Sequence, residues 1–232
     1  MGTDGQDRGR PGASARAEAE RIAARRREAT AGRSTTVRVL RALLGPTAAE
    51  RQLTASERHF RTGARGEELL AATLARRCPG VPILHDRRIP GGRANIDHLA
   101  FTASGIWVID AKRHRGSIRV RRPLFGRPRL EIAGRDRTSL LRGLERQVQA
   151  VRTALGEGAG ETPVHGCLCF LAPAGRLAEP GLPAVGTLHL AGFPLLDPRR
   201  LARRLNRPGS IDPARAQELC ELLARRLPQA PA

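Results

Sequence analysis

A chain of 232 residues is long enough for one ordinary domain with extensions, or two small ones, and its 40 % hydrophobic content supplies a core although only 3 % is aromatic. A formal net charge of +19 opposes compaction unless a polyanion neutralises it. Nucleic acid is therefore the expected partner and an anionic membrane surface the weaker alternative, with stable membrane insertion excluded because no apolar run approaches the length of a span.

Residues 1 to about 13 are rich in Gly, Asp, Arg and Pro and are expected to be disordered. From Ser14 to about Thr30 the composition favours a helix, but one with almost no apolar face, so a solvated or marginal one. Such a segment is either a soluble basic tail or a phosphate-binding arm. No hydrophobic stretch follows the first charged residues, so no secretory leader is expected. Thr35 to Leu44 is a candidate short helix, stopped by Gly45-Pro46.

The compact part begins near residue 50. Gly63 to Arg77 has helical spacing, with Leu69, Leu70 and Leu74 as its inner stripe, and Pro79-Gly80 ends it. Val81 to His85 reads as a short strand, and Pro90-Gly91-Gly92 as a turn. Two strong strands follow, Asn95 to Thr102 and Gly105 to Lys112, then two shorter ones nearer an edge, Ser117 to Val120 and Leu130 to Ala133. A helix over Asp136 to Leu155 carries Leu140, Leu141, Leu144, Val148, Val151 and Leu155. Val164 to Leu171 and Gly186 to Leu190 are further strands, and Pro198 to Leu205 and Pro213 to Leu227 are closing helices. This order predicts an α/β fold with a central mixed β-sheet flanked by helices. The four cysteines make no C-x-x-C pair, and Cys167 and Cys169 read as buried strand thiols. That usage fits a reducing, cytoplasmic setting.

Of 41 basic residues a single one, Lys112, is lysine; the other 40 are arginine. Arginine suffices wherever this chain needs a surface cation. The exception stands at the end of an apolar run, in Ile109-Asp110-Ala111-Lys112. A compact ammonium can approach a water or a phosphate oxygen where a planar guanidinium cannot.

The two strong strands place this lysine among acids. A turn centred on Ala103-Ser104 sets Asp97 opposite Asp110, and Asn95 opposite Lys112, with Cβ atoms roughly 4.5–5.5 Å apart. Alternation puts Leu99, Phe101, Ile106 and Val108 on the face of the acids. Ile96, Ala100, Trp107, Ile109 and Ala111 fall on the other, and His98 points away as a packed histidine. Opposed carboxylates repel unless one takes a proton or a cation intervenes. Mg²⁺ (or Mn²⁺) would serve, since it commonly uses one or two carboxylates plus waters and phosphate oxygens. An internal salt bridge from Lys112 accounts for one of the two acids only.

Gly63-Ala64-Arg65-Gly66-Glu67, Asn95-Ile96-Asp97-His98, Gly105 through Lys112 and Gly116 together resemble the nuclease-related domain, NERD, of the PD-(D/E)xK superfamily. The resemblance covers about residues 55 to 200. It implies a restriction-endonuclease-like sheet, outside which residues 1–54 are expected by composition to be a basic helical or disordered extension and 201–232 a helical extension. It further implies Asp97 and Asp110 as the metal-binding acids and Lys112 as the family lysine. Glu67 would be an additional acid that holds a water or orients Lys112. Gln147 resembles the glutamine on the helix after the hairpins, although Val151 stands where an aromatic often follows. Ile96 replaces the proline of the superfamily name.

Arg113, Arg115, Arg119, Arg121 and Arg122 form a basic ribbon after the lysine, expected to bind phosphates. No base-reading motif or aromatic stacking platform is visible, so no sequence specificity is expected. The expected activity is Mg²⁺-dependent hydrolysis of DNA phosphodiesters, in DNA processing or defence. The rivals are a non-catalytic nucleic-acid-binding protein that keeps the fold and a basic membrane-surface adaptor.

Overall fold

The structure is a computed structural model and describes residues 8–31, 45, 47–92, 94–114, 116–157, 161–172 and 187–231. The helix expected over Thr35 to Leu44, Arg115 of the basic ribbon and the start of the strand expected at Gly186 lie outside these residues.

Helix α1 (Ala13–Ala31) is followed by the long α2 (Ala48–Arg77). Strands β1 (Ile83–Arg88), β2 (Asn95–Thr102) and β3 (Gly105–Arg113) come next, then β4 (Ile118–Arg121), β5 (Arg129–Ile132) and β6 (Arg135–Asp136). The chain continues through α3 (Ser139–Leu155), β7 (Val164–Leu171), β8 (Leu188–Leu190), β9 (Phe193–Leu196), α4 (Pro198–Leu205) and α5 (Pro213–Arg226). A six-stranded mixed sheet runs in the order β1-β2-β3-β7-β9-β8. β1, β2 and β3 pair antiparallel, β7 runs parallel to β3, and β9 runs parallel to β7. The architecture is the expected α/β one, with helices on both faces.

One face carries Leu99, Phe101, Ile106 and Val108 against α3 and α5. The other carries Ala100, Trp107 and Ile109 against α2 and α4. This division follows from strand alternation, with one exception. Ile96 joins the first cluster rather than the second. The cause is local: the β2–β3 ladder ends at His98↔Ile109, below which β2 leaves its neighbour.

Several elements differ from the sequence expectation. The strands at 118–121 and 129–132 are not edges of the main sheet but form a separate sheet with β6. Their inward residues Ile118, Leu130 and Ile132 are buried on the first core. β9 is a strand where none was expected. Its Pro194 falls at a pairing position only beside β8, while Leu195 and Leu196 pair with β7. α2 extends upstream of Gly63 to a capping box, in which Glu50 N–H donates to Thr47 Oγ1 and Thr47 N–H to Glu50 Oε2. It therefore crosses the expected boundary at residue 54. Leu69 is 38 % exposed, and Ala64, Gly66, Leu70 and Leu74 form the buried stripe instead.

The largest correction concerns the N-terminus. α1 is not a solvated helix. Ala19 and Ile22 are buried, Arg16 pairs with Glu68 at 3.2 Å, and Arg26 pairs with Glu57 at 3.0 Å, both acids on α2. The exposed edge of β1 is covered as well: Arg8 carbonyl accepts from His85 N–H at 2.8 Å, and Pro228 carbonyl accepts from Arg88 N–H at 2.8 Å. Both ends of the described chain thus mask one strand edge that would otherwise be open to pairing. At the other end, α5 contributes Leu219, Cys220 and Leu223 to the first core.

Candidate active site

The site forms where β2 and β3 part. Their pairs, from Thr102↔Gly105 to His98↔Ile109, share the midpoint 103.5 that sets Asp97 opposite Asp110. At the next step the backbone ladder is replaced by a side chain: Asp97 Oδ2 accepts from Ala111 N–H at 2.8 Å. Asp110 is 4 % exposed, and Asp97 is half-buried. Lys112 Nζ is ion-paired with Asp110 Oδ1 and also donates to Ala111 carbonyl at 3.3 Å.

Glu67 reaches this cluster from α2. A Cβ at Gly66 would lie 3.5 Å from Arg113 Cβ, so that turn of α2 passes over the end of β3. Burial pushes the Glu67 carboxyl up to about 9, and the charges of Asp97 and Asp86 add to it. Lys112 and the backbone N–H of Gly12 act in the opposite direction. Burial likewise raises Asp110, to about 7; Lys112 opposes the shift, whereas the Asp97 carboxyl reinforces it. Burial alone would lower the Lys112 ammonium, but Asp110, Asp97 and Glu67 outweigh it and hold its pKa above the ordinary value.

Asp86 is an acid that sequence reasoning missed. The pairs His85↔His98 and Arg87↔Ile96 place it across from Asp97, and it is 1 % exposed. Its φ of +50° is left-handed, a conformation uncommon outside glycine but tolerated by Asp. Its carboxylate accepts from Ser14 N–H at 2.6 Å, Ser14 Oγ at 2.7 Å and Asn95 Nδ2 at 3.2 Å. The first turn of α1 therefore sits on the acidic cluster, where the positive end of the helix stabilises negative charge. An aspartate directly after the short strand expected at Val81 to His85 was the available signal. The connection between β1 and β2 is too long for its register to be read from sequence.

Gln147, on α3, is buried and donates from Nε2 to Asn95 carbonyl at 3.3 Å. Its Oε1 is buried without a hydrogen-bond partner. The basic ribbon divides. Arg113 belongs to β3 and is half-buried beside α2, whereas Arg119, Arg121 and Arg122 are exposed on and after β4. His98 is buried, and its Nδ1 lies 2.8 Å from His85 Nδ1.

Among the described residues no group of three or more His, Cys, Asp or Glu side chains is arranged to hold a metal ion. The site offers a smaller donor set. Asp97 and Asp110 are adjacent carboxyls, and the amide oxygen of Gln147 is an orphaned buried acceptor. Mg²⁺ needs no more from a protein, because it keeps several waters and takes phosphate oxygens. These residues fit that ion.

Residues 62–171 match the family model described as NERD, nuclease-related domain. That span holds Glu67, Asp86, Asp97, Asp110, Lys112 and Gln147, and the mixed sheet with its flanking helices is consistent with a restriction-endonuclease-like fold. No curated protein and no solved structure matches the chain. Among the described residues no helix is long and apolar enough to cross a membrane.

Proposed function

The chain carries a nuclease-related domain over residues 62–171, and from that premise we propose that it is a Mg²⁺-dependent nuclease that hydrolyses DNA phosphodiesters. The observation that carries this reading is the convergence of Asp97, Asp110 and Lys112 where β2 and β3 part, with Glu67 approaching from α2. Asp97 and Asp110 would hold the ion, and Gln147, which donates to Asn95 carbonyl, would brace the start of β2. When bound there, Mg²⁺ would supply Lewis-acid polarisation of the phosphodiester.

The remaining roles belong to the chain. Lys112 is partly exposed, with a side chain 25 % accessible, so its ammonium can turn from Asp110 toward an incoming phosphate. There it offsets negative charge that builds on the phosphoryl group. Ala111 N–H fixes the Asp97 carboxylate in place. Glu67 holds a proton at neutral pH and can donate it in a hydrogen bond to water or phosphate. The net charge of +19 draws the polyanion in.

A second reading is a non-catalytic nucleic-acid-binding protein. It is favoured by the Lys112–Asp110 ion pair, which engages the lysine internally, and by α1, whose first turn occupies the acids. The deciding experiment incubates purified protein with plasmid, linear and single-stranded DNA, with and without Mg²⁺. Cleavage that requires Mg²⁺ and is lost in Asp110→Ala supports the nuclease. Tight binding without cleavage of any substrate supports the second reading.

A further inference from the structure

The β4–β5 hairpin ends in a tip unlike the rest of the surface. Leu124 is 92 % exposed and Phe125 87 % exposed; the one other exposed large hydrophobic residue among those described is Leu69, at 38 %. Two adjacent large apolar side chains held almost wholly in water cost solvation free energy with no return in folding. The tip is stiffened rather than loose, since Pro123 and Pro128 flank it and Gly126 turns it at a φ of +109°.

The flanks supply the second observation. Between Ile118 and Ile132 the chain carries five arginines, Arg119, Arg121, Arg122, Arg127 and Arg129, against one acid, Glu131. Arg119, Arg121 and Arg129 alternate with inward-facing apolar residues and so point outward, and Arg122 and Arg127 are exposed in the turn. Arg121 and Arg129 are directly opposed in the ladder. Like charges in that position are destabilising by themselves, and Glu131 accepts from Arg121 Nε alone, at 3.0 Å. A polyanion lying along the hairpin would remove the repulsion. The hairpin also springs from the site: β4 begins six residues after Lys112, on the same strand exit.

We propose that this hairpin is a nucleic-acid wedge: Leu124 and Phe125 enter between bases while the flanking arginines hold the phosphates. The proposal deepens the nuclease reading and rests on it for its polyanion. Apolar wedges between base steps and aromatic stacking on bases are established ways of engaging duplex and single strands. A phenyl face backed by guanidinium groups supplies both the stacking surface and the phosphate contacts.

The test uses the full chain with Ca²⁺ in place of Mg²⁺, and wild-type cleavage in Mg²⁺ is measured alongside. Phe125→Trp places a reporter at the tip; the sole native tryptophan, Trp107, is 6 % exposed, and its signal is subtracted with the parent protein. Titration with oligonucleotides should quench the new fluorescence by base stacking, and inorganic polyphosphate should not. The double variant Leu124→Ser, Phe125→Ser should keep its melting temperature and bind oligonucleotides about 10-fold more weakly, the scale of one lost stack. Arg121→Gln with Arg129→Gln should flatten the log–log salt dependence by about 2 on duplex.

Oligonucleotide binding with no quench, or with unchanged affinity in the serine variant, overturns the wedge and leaves the nuclease reading intact. Equal quenching by polyphosphate also overturns it, because bases are then not contacted. A blue shift with phosphatidylserine vesicles and no response to oligonucleotides makes the tip a membrane anchor and overturns the wedge. If the wild type neither binds nor cleaves nucleic acid, both readings fall together.

Discussion

Asp97 Oδ2 takes the hydrogen bond from Ala111 N–H, at 2.8 Å, that a backbone carbonyl would accept in a continuing ladder. One side chain thus closes the strand pair and faces the candidate reaction site. The two duties separate by substitution. Asp97→Asn keeps an amide oxygen for Ala111, so it should fold with near-native stability yet lose Mg²⁺-dependent cleavage. Asp97→Ala leaves that N–H without its partner and should cost about 1–2 kcal/mol more than Asp97→Asn in urea unfolding. Equal stabilities for the two variants would remove the structural duty.

Lys112→Arg tests the lysine without changing net charge. The forked guanidinium can still balance Asp110 but cannot take the place of a compact ammonium at a phosphate. Cleavage should drop by roughly 10²-fold or more, the scale of one lost electrostatic stabiliser. DNA affinity, measured by filter binding, should stay nearly the same. Undiminished cleavage would take Lys112 out of the mechanism.

Stability should pass through a maximum in mildly acidic to neutral solution. Glu67 is raised from 4.5 to about 9, so between those values the folded state binds more protons than the unfolded state, and stability falls as pH rises. Asp110, raised from 3.8 to about 7, adds a loss of the same sign over its own window. His85 and His98 are lowered from 6.5 to about 3, first by burial, so their contribution is lost as pH falls from about 6.5 toward 3. Glu67→Gln should flatten the alkaline limb. It should raise the melting temperature at pH 8 by at least about 2–4 °C, the equivalent of about 1 kcal/mol at this size. An unchanged slope in calorimetry would mean that the proton sits elsewhere.

The docking of α1 can be probed through glycine. Gly12 has a φ of +72°, and a Cβ there would lie 2.8 Å from the Ala64 backbone. Gly192 has a φ of +81° with nothing within 4 Å. Gly192→Ala should therefore cost about 1–2 kcal/mol for the left-handed backbone alone. Gly12→Ala should cost clearly more and should expose Asp86 and Glu67, read as faster amide exchange over the first turn of α1. Equal costs at the two positions would mean that α1 does not pack as described.

The β2–β3 hairpin, strand β7, the helices after the hairpins and the opposed pair Asp97 and Asp110 were legible in the sequence, because a two-residue turn and the period-two and helical spacings are local rules, whereas β9 and the upstream half of α2 were not. Register across Ala103-Ser104 follows from counting, and the choice of lysine at position 112 stands out against 40 arginines. Tertiary structure alone decided the rest. Asp86 joins the acids through the β1–β2 register and is held by Ser14, 72 positions away in sequence, and no periodicity encodes either contact. α1 looks solvated by composition because its buried contacts are few and small, Ala19 and Ile22, with its ion pairs formed to α2. Leu124 and Phe125 read as ordinary apolar residues until β4 and β5 fold into a sheet of their own and leave the turn between them in water. Local hydrogen-bond geometry writes itself into spacing, whereas contacts across the fold depend on which surfaces the assembled core leaves to meet.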